Sequence, residues 1–213
     1  MKSLDSEEIL YLDNHLLVVN KPAGLLTQPS PTASDSLEER AKAYIKKRFA
    51  KPGAVFLHAV HRLDRAVSGI VLFARTSKAL SRLQEQQRER KIKKIYYALV
   101  DQTPTEKKGK LEHKLSHGSF KAVVKDGGKE AVLFYEVIGK NLLRIELVTG
   151  RYHQIRAQLS AIGSPIVGDQ KYGSTKTFHS EAIALHHGEM IFSHPTTKEK
   201  LSISSRSPFQ KSS

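Results

Sequence analysis

His61-Arg62-Leu63-Asp64, followed by Ser68-Gly69 and the apolar run Ile70-Val71-Leu72-Phe73, sets a carboxylate between basic residues and a short strand that reads as buried. In a chain of formal charge +14, that acid repels the polyanion its surroundings would attract. Two readings fit the spacing. Asp64 is a structural ion-pair partner of Arg62 or Arg65, or it is a catalytic carboxylate inside a nucleic-acid-binding surface. A second cluster, Gly150-Arg151-Tyr152-His153-Gln154-Ile155-Arg156, packs side chains able to bind phosphate, base edges or carboxylate into the start of a predicted helix. Helix N-termini favour anions, and arginine adds two-point donors. An arginine turned towards Asp64 would keep that acid ionised under a bound substrate. The blander alternative is a basic helix start on a solvated face, but the mixture of residue types does not read as a charge run.

Other chemistries drop out. The chain has no Walker loop, no dinucleotide glycine fingerprint and no Gly-x-Ser-x-Gly elbow. It has no cysteine, which removes disulfides, thiolate catalysis and cysteine-built zinc sites. His113 and His117 are four apart, a spacing that binds metal on a helix. Gly109, Ser116 and Gly118 argue against a long helix there, and no third ligand is obvious. His186-His187 reads as structural.

With 213 residues, 39% of them hydrophobic, the chain can bury a sizeable core. Lysine and arginine total 35 against 21 acids, and the pI is near 9.9. That excess suits a polyanionic partner, because neutralising phosphates releases condensed counterions. Membrane surfaces also attract basic chains. However, no run approaches bilayer-spanning length, and no basic amphipathic helix with exposed large apolar residues stands out. The start carries no secretory signal, and Asp5, Glu7 and Glu8 argue against a transit peptide. The expectation is a cytoplasmic monomer that binds nucleic acid and not membrane.

The elements that must position these residues alternate irregularly. Ile9–Leu12 and Leu16–Val19 read as strands joined by a turn at Asp13-Asn14-His15. Ser36, with Glu39 three residues on, forms a capping box for a helix over Leu37–Arg48. Gly69–Ala74 reads as a central strand, and Thr76 or Ser77 caps a helix whose Leu80 and Leu83 face inward. Ile95–Val100 is a strand and Thr103–Lys110 a polar loop. Ala131–Ile138 and Leu142–Val148 alternate as antiparallel partners. Ile155, Leu159 and Ile162 recur at helical spacing before Gly163. Ile183–Leu185, Glu189–Phe192 and Leu201–Ile203 are short strands near the end. The pattern is α+β with a largely antiparallel sheet and one domain over residues 9–205. Residues 1–8 and 206–213 are tails, with fraying from Ser204 onward.

These residues carry a resemblance. His61-Arg62-Leu63-Asp64 with Ser68-Gly69 resembles the RluA family of RNA pseudouridine synthases. So do Asn20-Lys21-Pro22-Ala23-Gly24, Lys94–Val100, Gly150–Arg156 and Pro165–Asp169 with Tyr172-Gly173, in that order. Leu185-His186 and His194-Pro195 complete the pattern, which covers roughly residues 9 to 205. The resemblance implies a mixed, mostly antiparallel sheet split by a basic cleft, and conversion of a uridine in RNA to pseudouridine without metal or cofactor. It implies that Asp64 is the catalytic aspartate, Tyr96 the active-site tyrosine and Arg156 the arginine that pairs with the aspartate. Arg62 matches the residue that helps fill the space left by a flipped base. His61, Lys21, Arg151, His153 and Leu185 are the remaining expected substrate contacts. One departure is visible: Val67 stands where the family usually has threonine. With so few residues before Ile9, the catalytic domain is expected to find its RNA, a ribosomal or transfer RNA stem-loop, by itself.

Isomerisation must break the bond from the ribose anomeric carbon to nitrogen 1, turn the uracil and rejoin it through carbon 5, so the nucleotide has to leave the stack. Asp64 attacking the sugar, attacking the base or abstracting a sugar proton all fit a lone carboxylate. Two other classes stay open on the residues alone. One is an RNA-binding or ribosome-assembly protein on the same scaffold without useful catalysis. The other is a nucleoside hydrolase, which usually needs a second carboxylate; Asp169 is the nearest motif acid, and its context reads as a turn.

Overall fold

A computed structural model describes residues 4–118 and 120–209. In chain order the elements are β1 (Ile9–Leu12), β2 (Leu16–Lys21), α1 (Leu37–Arg48), β3 (His58–Ala59) and β4 (Ser68–Ala74). There follow α2 (Ser77–Arg88), β5 (Lys93–Leu99), β6 (Lys108–His117), β7 (Ala122–Val124) and β8 (Lys129–Gly139). The series ends with β9 (Leu142–Leu147), α3 (Gln154–Ala161), β10 (Leu185–Ser193) and β11 (Lys200–Ser204). The chain divides into two compact units, Met1–Ile92 with Glu189–Ser205, and Lys93–Gly188 with Arg206–Ser213.

In the first unit, β2 pairs antiparallel with both β1 and β4, and β3 pairs with β4. The β1–β2 turn closes on Asp13, whose Oδ1 accepts the N–H groups of His15 and Leu16, each at 2.7 Å. Its Oδ2 lies 2.8 Å from His194 Nε2. Burial opposes the Asp13 charge, but those hydrogen bonds hold its pKa below the ordinary value. Ser36 caps α1 by accepting the Glu39 N–H, and Thr76, not Ser77, caps α2. Leu16, Val18, Ile70, Leu72, Leu83, Met190 and Phe192 form the core between sheet and α2. Leu80 packs against its edge, as the helical spacing predicts.

In the second unit the strands run β5–β9–β8–β6–β7, all antiparallel. The helix α3 is tied to β6 and β8 through amides. Gln158 Nε2 donates to the carbonyls of Ala131 (3.0 Å) and Leu111 (3.2 Å). Gln154 Nε2 donates to the Val132 carbonyl (3.1 Å) and to Gln158 Oε1 (3.0 Å). Gln154 Oε1 in turn accepts from the Thr149 hydroxyl and the Arg151 N–H. Gln154 is therefore a joint between helix and sheet. After α3, Gly163 takes φ +75 and the Ser164 N–H returns to the Leu159 carbonyl, which closes the C-terminus.

Three sequence expectations are corrected. The polar loop ends at Lys107 and is followed by the ten-residue strand β6, which carries His113 and His117. Ile183–Leu185 and Glu189–Phe192 are not two strands; one strand, β10, runs through His186 and His187, both buried. Fraying does not begin at Ser204: that residue pairs in β11, Ser205 and Ser207 are buried, and Phe209 packs edge-on against Phe178 at 6.2 Å. Residues 210–213 lie outside the described residues.

Candidate active site

Asp64 lies on the loop between β3 and β4, and both of its neighbours are anchored. The Leu63 N–H donates to Thr27 Oγ1 at 3.1 Å, and that hydroxyl donates to the Leu63 carbonyl at 2.9 Å. On the other side, the Arg65 carbonyl accepts the Gly24 N–H (2.8 Å) and Lys21 Nζ (3.2 Å), while Arg65 Nε donates to the Gly24 carbonyl (2.9 Å). The Val67 N–H closes a turn on the Asp64 carbonyl at 3.0 Å, and the Val67 side chain is buried. The Asn20–Gly24 segment thus clamps the Asp64 loop from one side and Thr27 from the other.

Lys21, expected at the substrate, is 0% exposed, and its ammonium donates to the carbonyls of Pro22 (2.9 Å), Leu25 (2.7 Å) and Arg65 (3.2 Å). Three donors meet three acceptors, so Lys21 holds two loops together. Burial pushes its pKa down to about 7, with the charge of Asp64 acting in the opposite direction. His61 is also buried, and its Nε2 accepts the Leu72 N–H at 3.2 Å, which fixes the loop to β4 and leaves the ring proton on Nδ1. Arg62 is exposed and makes no hydrogen bond or ion pair among the described residues. The reading of Asp64 as the ion-pair partner of Arg62 therefore falls.

In the second unit, Tyr96 is buried on β5 and stacks on His187 of β10, with ring centroids 4.4 Å apart and planes 13° apart. Leu185 is buried at the start of the same strand. Strand alternation sets Lys94 on the same face as Tyr96. Lys94 is half-buried without a hydrogen-bond or ion-pair partner among the described residues, and desolvation pushes its pKa down to about 8.

Arg156 projects from the first turn of α3. Its Nε donates to Asp169 Oδ2 at 2.7 Å and its Nη2 to Oδ1 at 2.9 Å, with the two residues 8% and 2% exposed. This is the planar two-point contact that arginine makes and lysine cannot. Asp169 is presented by a 3-10 turn over Gln170–Tyr172, so the turn reading holds, but its carboxylate is the buried partner of Arg156. The turn needs Gly168: φ is +84, and an added Cβ would come within 2.7 Å of Phe178 Cβ. The Arg156 guanidinium also lies over the Tyr172 ring, 4.9 Å from its centroid. Tyr172 is pushed up to about 12, chiefly by burial. Its hydroxyl lies 3.0 Å from His153 Nδ1 and accepts the Ala122 N–H at 2.8 Å. His153 is buried in the left-handed region, φ 49, which turns the chain into α3. Arg151 is exposed, with Nε donating to the Glu130 carbonyl at 2.9 Å.

Sequence reasoning passed over two groups here. Asp169 had no signal beyond its place in a quoted motif, since nothing in the spacing joins it to Arg156. Lys94 could have been found from the i, i+2 register of Lys94 and Tyr96 on one strand. His113 sits on a strand with its Nδ1 3.2 Å from Gln158 Nε2, so the helical metal spacing does not apply.

A family model described as RNA pseudouridylate synthase matches residues 15–161, a stretch that contains Asp64, Tyr96 and Arg156. The chain is 36% identical to the dual-specificity RNA pseudouridine synthase RluA of Pasteurella multocida, across 95% of this chain and 94% of that protein. The chain belongs to the RluA family of RNA pseudouridine synthases. Another relative is the ribosomal large subunit pseudouridine synthase D of Zymomonas mobilis, 33% identical over 94% of this chain and 69% of that protein. Among solved structures, human RNA pseudouridylate synthase domain containing 4 matches with a TM-score of 0.79 at 22% identity, covering 96% of this chain and 90% of that one. That likeness is one of fold, and it bears out the α+β reading. Asp169 lies beyond the residues that the family model matches.

Proposed function

We propose that this chain isomerises one uridine of a structured ribosomal or transfer RNA to pseudouridine in the cytoplasm, with Asp64 as the reacting carboxylate. The observation that carries this reading is the clamped Asp64 loop. Thr27 and Lys21 hold the residues on either side of the acid, so the backbone that carries Asp64 is fixed before substrate arrives, which supports a preorganised site. The uridine leaves the stack before reaction. That Arg62 is exposed and without a hydrogen-bond or ion-pair partner among the described residues supports a role in filling the vacated space.

The step itself balances without a co-reactant. The bond from the anomeric carbon to nitrogen 1 breaks, a bond to carbon 5 forms, the carbon-5 proton leaves and nitrogen 1 takes up a proton. Asp64 assists by attack on the sugar, by attack on the base or by abstraction of a sugar proton. Tyr96, buried with one ring face on His187, supports a role beside the turning base. In this reading Arg156 belongs to the catalytic set, and Lys94 holds a phosphate. Arg151 and Leu185 contribute the remaining contacts.

The experiment is tritium release from RNA labelled at uridine carbon 5, with wild type and Asp64→Asn, alongside a binding titration. The variant is expected to lose turnover while RNA affinity stays level or rises slightly, since a charge repelling phosphate is gone. Turnover near the wild-type rate would remove Asp64 from the chemistry. Wild-type binding without any tritium release would favour an RNA-binding scaffold. Mapping pseudouridines in total RNA with and without the gene identifies the target.

A further inference from the structure

In the second unit, four rings form a continuous column. Tyr152 stacks on His153, with centroids 3.8 Å apart and planes 18° apart, and packs on His117 at 4.3 Å and 33°. His153 meets Tyr172 edge-on at 5.6 Å, and the Arg156 guanidinium covers Tyr172. The inner end is buried and accounted for by packing, because Tyr172 ties the start of β7 at Ala122 to the turn that presents Asp169.

Packing does not explain the outer end. Tyr152 is 40% exposed, His117 is exposed, and Phe120 in the adjoining loop is 77% exposed. Basic groups flank these rings: Arg151 and Lys121 are chain neighbours and exposed, and Lys171 Nζ donates to the Phe120 carbonyl at 2.8 Å. Rigid exposed rings set among cations are the parts from which proteins build platforms for unpaired bases, since every base has a π-face and every nucleotide a phosphate. The column is also stiff. His153 is pinned by its left-handed backbone and by Tyr172, so a base stacked on it costs little ordering.

We infer that the His117–Tyr152 end of the column is a stacking platform for an unpaired base of the substrate RNA, at a nucleotide other than the target uridine. The inference rests on the proposed RNA reaction, which supplies the substrate. It adds a contact at His117, the outermost ring, which Tyr152 and His153 back from beneath.

The test uses the full chain and a short oligouridine carrying a single 2-aminopurine, with a second oligomer that has an abasic residue at that position. Wild type is expected to quench the 2-aminopurine on binding. His117→Ala should lose the quenching and bind about ten-fold more weakly, as removal of one stacking ring does. His117→Phe should keep both properties. On the abasic oligomer, His117→Ala and wild type should bind alike. Absence of quenching by wild type, or an equal loss for His117→Ala on both oligomers, overturns the platform. Normal pseudouridine formation without quenching would reject the platform alone. The expected quenching in a protein that forms no pseudouridine would support the platform and reject the catalytic reading.

Discussion

Thr27 and Leu63 hold each other twice, the threonine hydroxyl accepting the Leu63 N–H at 3.1 Å and donating to its carbonyl at 2.9 Å. One buried hydroxyl thereby fixes both backbone polar groups of the residue before Asp64. Thr27→Val keeps the shape and removes the hydroxyl. Stability should fall by about 1–3 kcal/mol, the cost of leaving buried backbone groups unpaired. Turnover should fall more than RNA affinity, because the acid is misplaced while the basic surface is intact. Chemical denaturation and single-turnover kinetics on one preparation read both effects. An unchanged rate would show that the loop is held adequately without Thr27.

Lys21 makes stability depend on pH in an unusual direction. Its pKa falls from the ordinary 10.5 to about 7 on folding, mainly by burial. Between those values the unfolded chain binds a proton that the folded chain does not, so the contribution of this group is full above the unfolded value. It is lost as pH falls towards about 7. Lys21→Met should flatten that part of the stability profile and lower stability overall, because three carbonyls lose their donor. Urea midpoints measured from neutral to alkaline pH are the check. A variant profile parallel to the wild type would remove Lys21 from the pH response.

Arg156 and Asp169 should behave as one unit. Removing either partner alone strands a buried charge, at a cost of about 3–5 kcal/mol, and the double variant should cost less than the sum. For turnover, Arg156→Ala should be worse than Arg156→Lys, which restores charge but not the two-point contact. Single-turnover rates and urea midpoints on the same preparations are the check. A wild-type rate in Arg156→Ala would confine Arg156 to a structural role.

Lys94 should make RNA affinity sensitive to mildly alkaline pH. Desolvation lowers its pKa to about 8, so binding should weaken as pH rises through that value and the ammonium is lost. Lys94→Arg keeps its charge throughout and should remove that inflection. Lys94→Met should bind weakly at all pH values and reduce the slope of log affinity against log salt by about one contact. An inflection that persists in Lys94→Met would assign it to another group.

The strands β2 and β4 were legible because each is a short, nearly unbroken apolar run, and α1 and α2 because Ser36 and Thr76 are caps followed by periodic side chains. The strand β6 was hidden: its apolar residues Leu111 and Leu115 are four apart, and the intervening inward position is His113, beside the Gln158 amide. Buried His186 and His187 broke β10 in the same way. At the site, Asp64, Tyr96 and Arg156 stood out through ordered motifs. What those motifs could not convey was burial. A lysine in a Pro-Gly loop reads as surface, and only the convergence of three carbonyls makes Lys21 internal. The Arg156–Asp169 pair was illegible because a turn set by Gly168 brings together residues thirteen apart.

The helix that carries Arg156 is fastened to its sheet by Gln154 and Gln158, side chains with no charge to screen and no proton to gain or lose. Salt and pH are the two variables with which an RNA-modifying protein is most often probed. A change in either can strip phosphates from a basic surface or neutralise an acid, yet the bonds from these amides to the carbonyls of Leu111, Ala131 and Val132 carry no charge to respond. A loss of function in concentrated salt or at altered pH is therefore to be sought in the RNA contacts and in the ionisable partners around the helix, Asp169 on Arg156 and His113 beside Gln158.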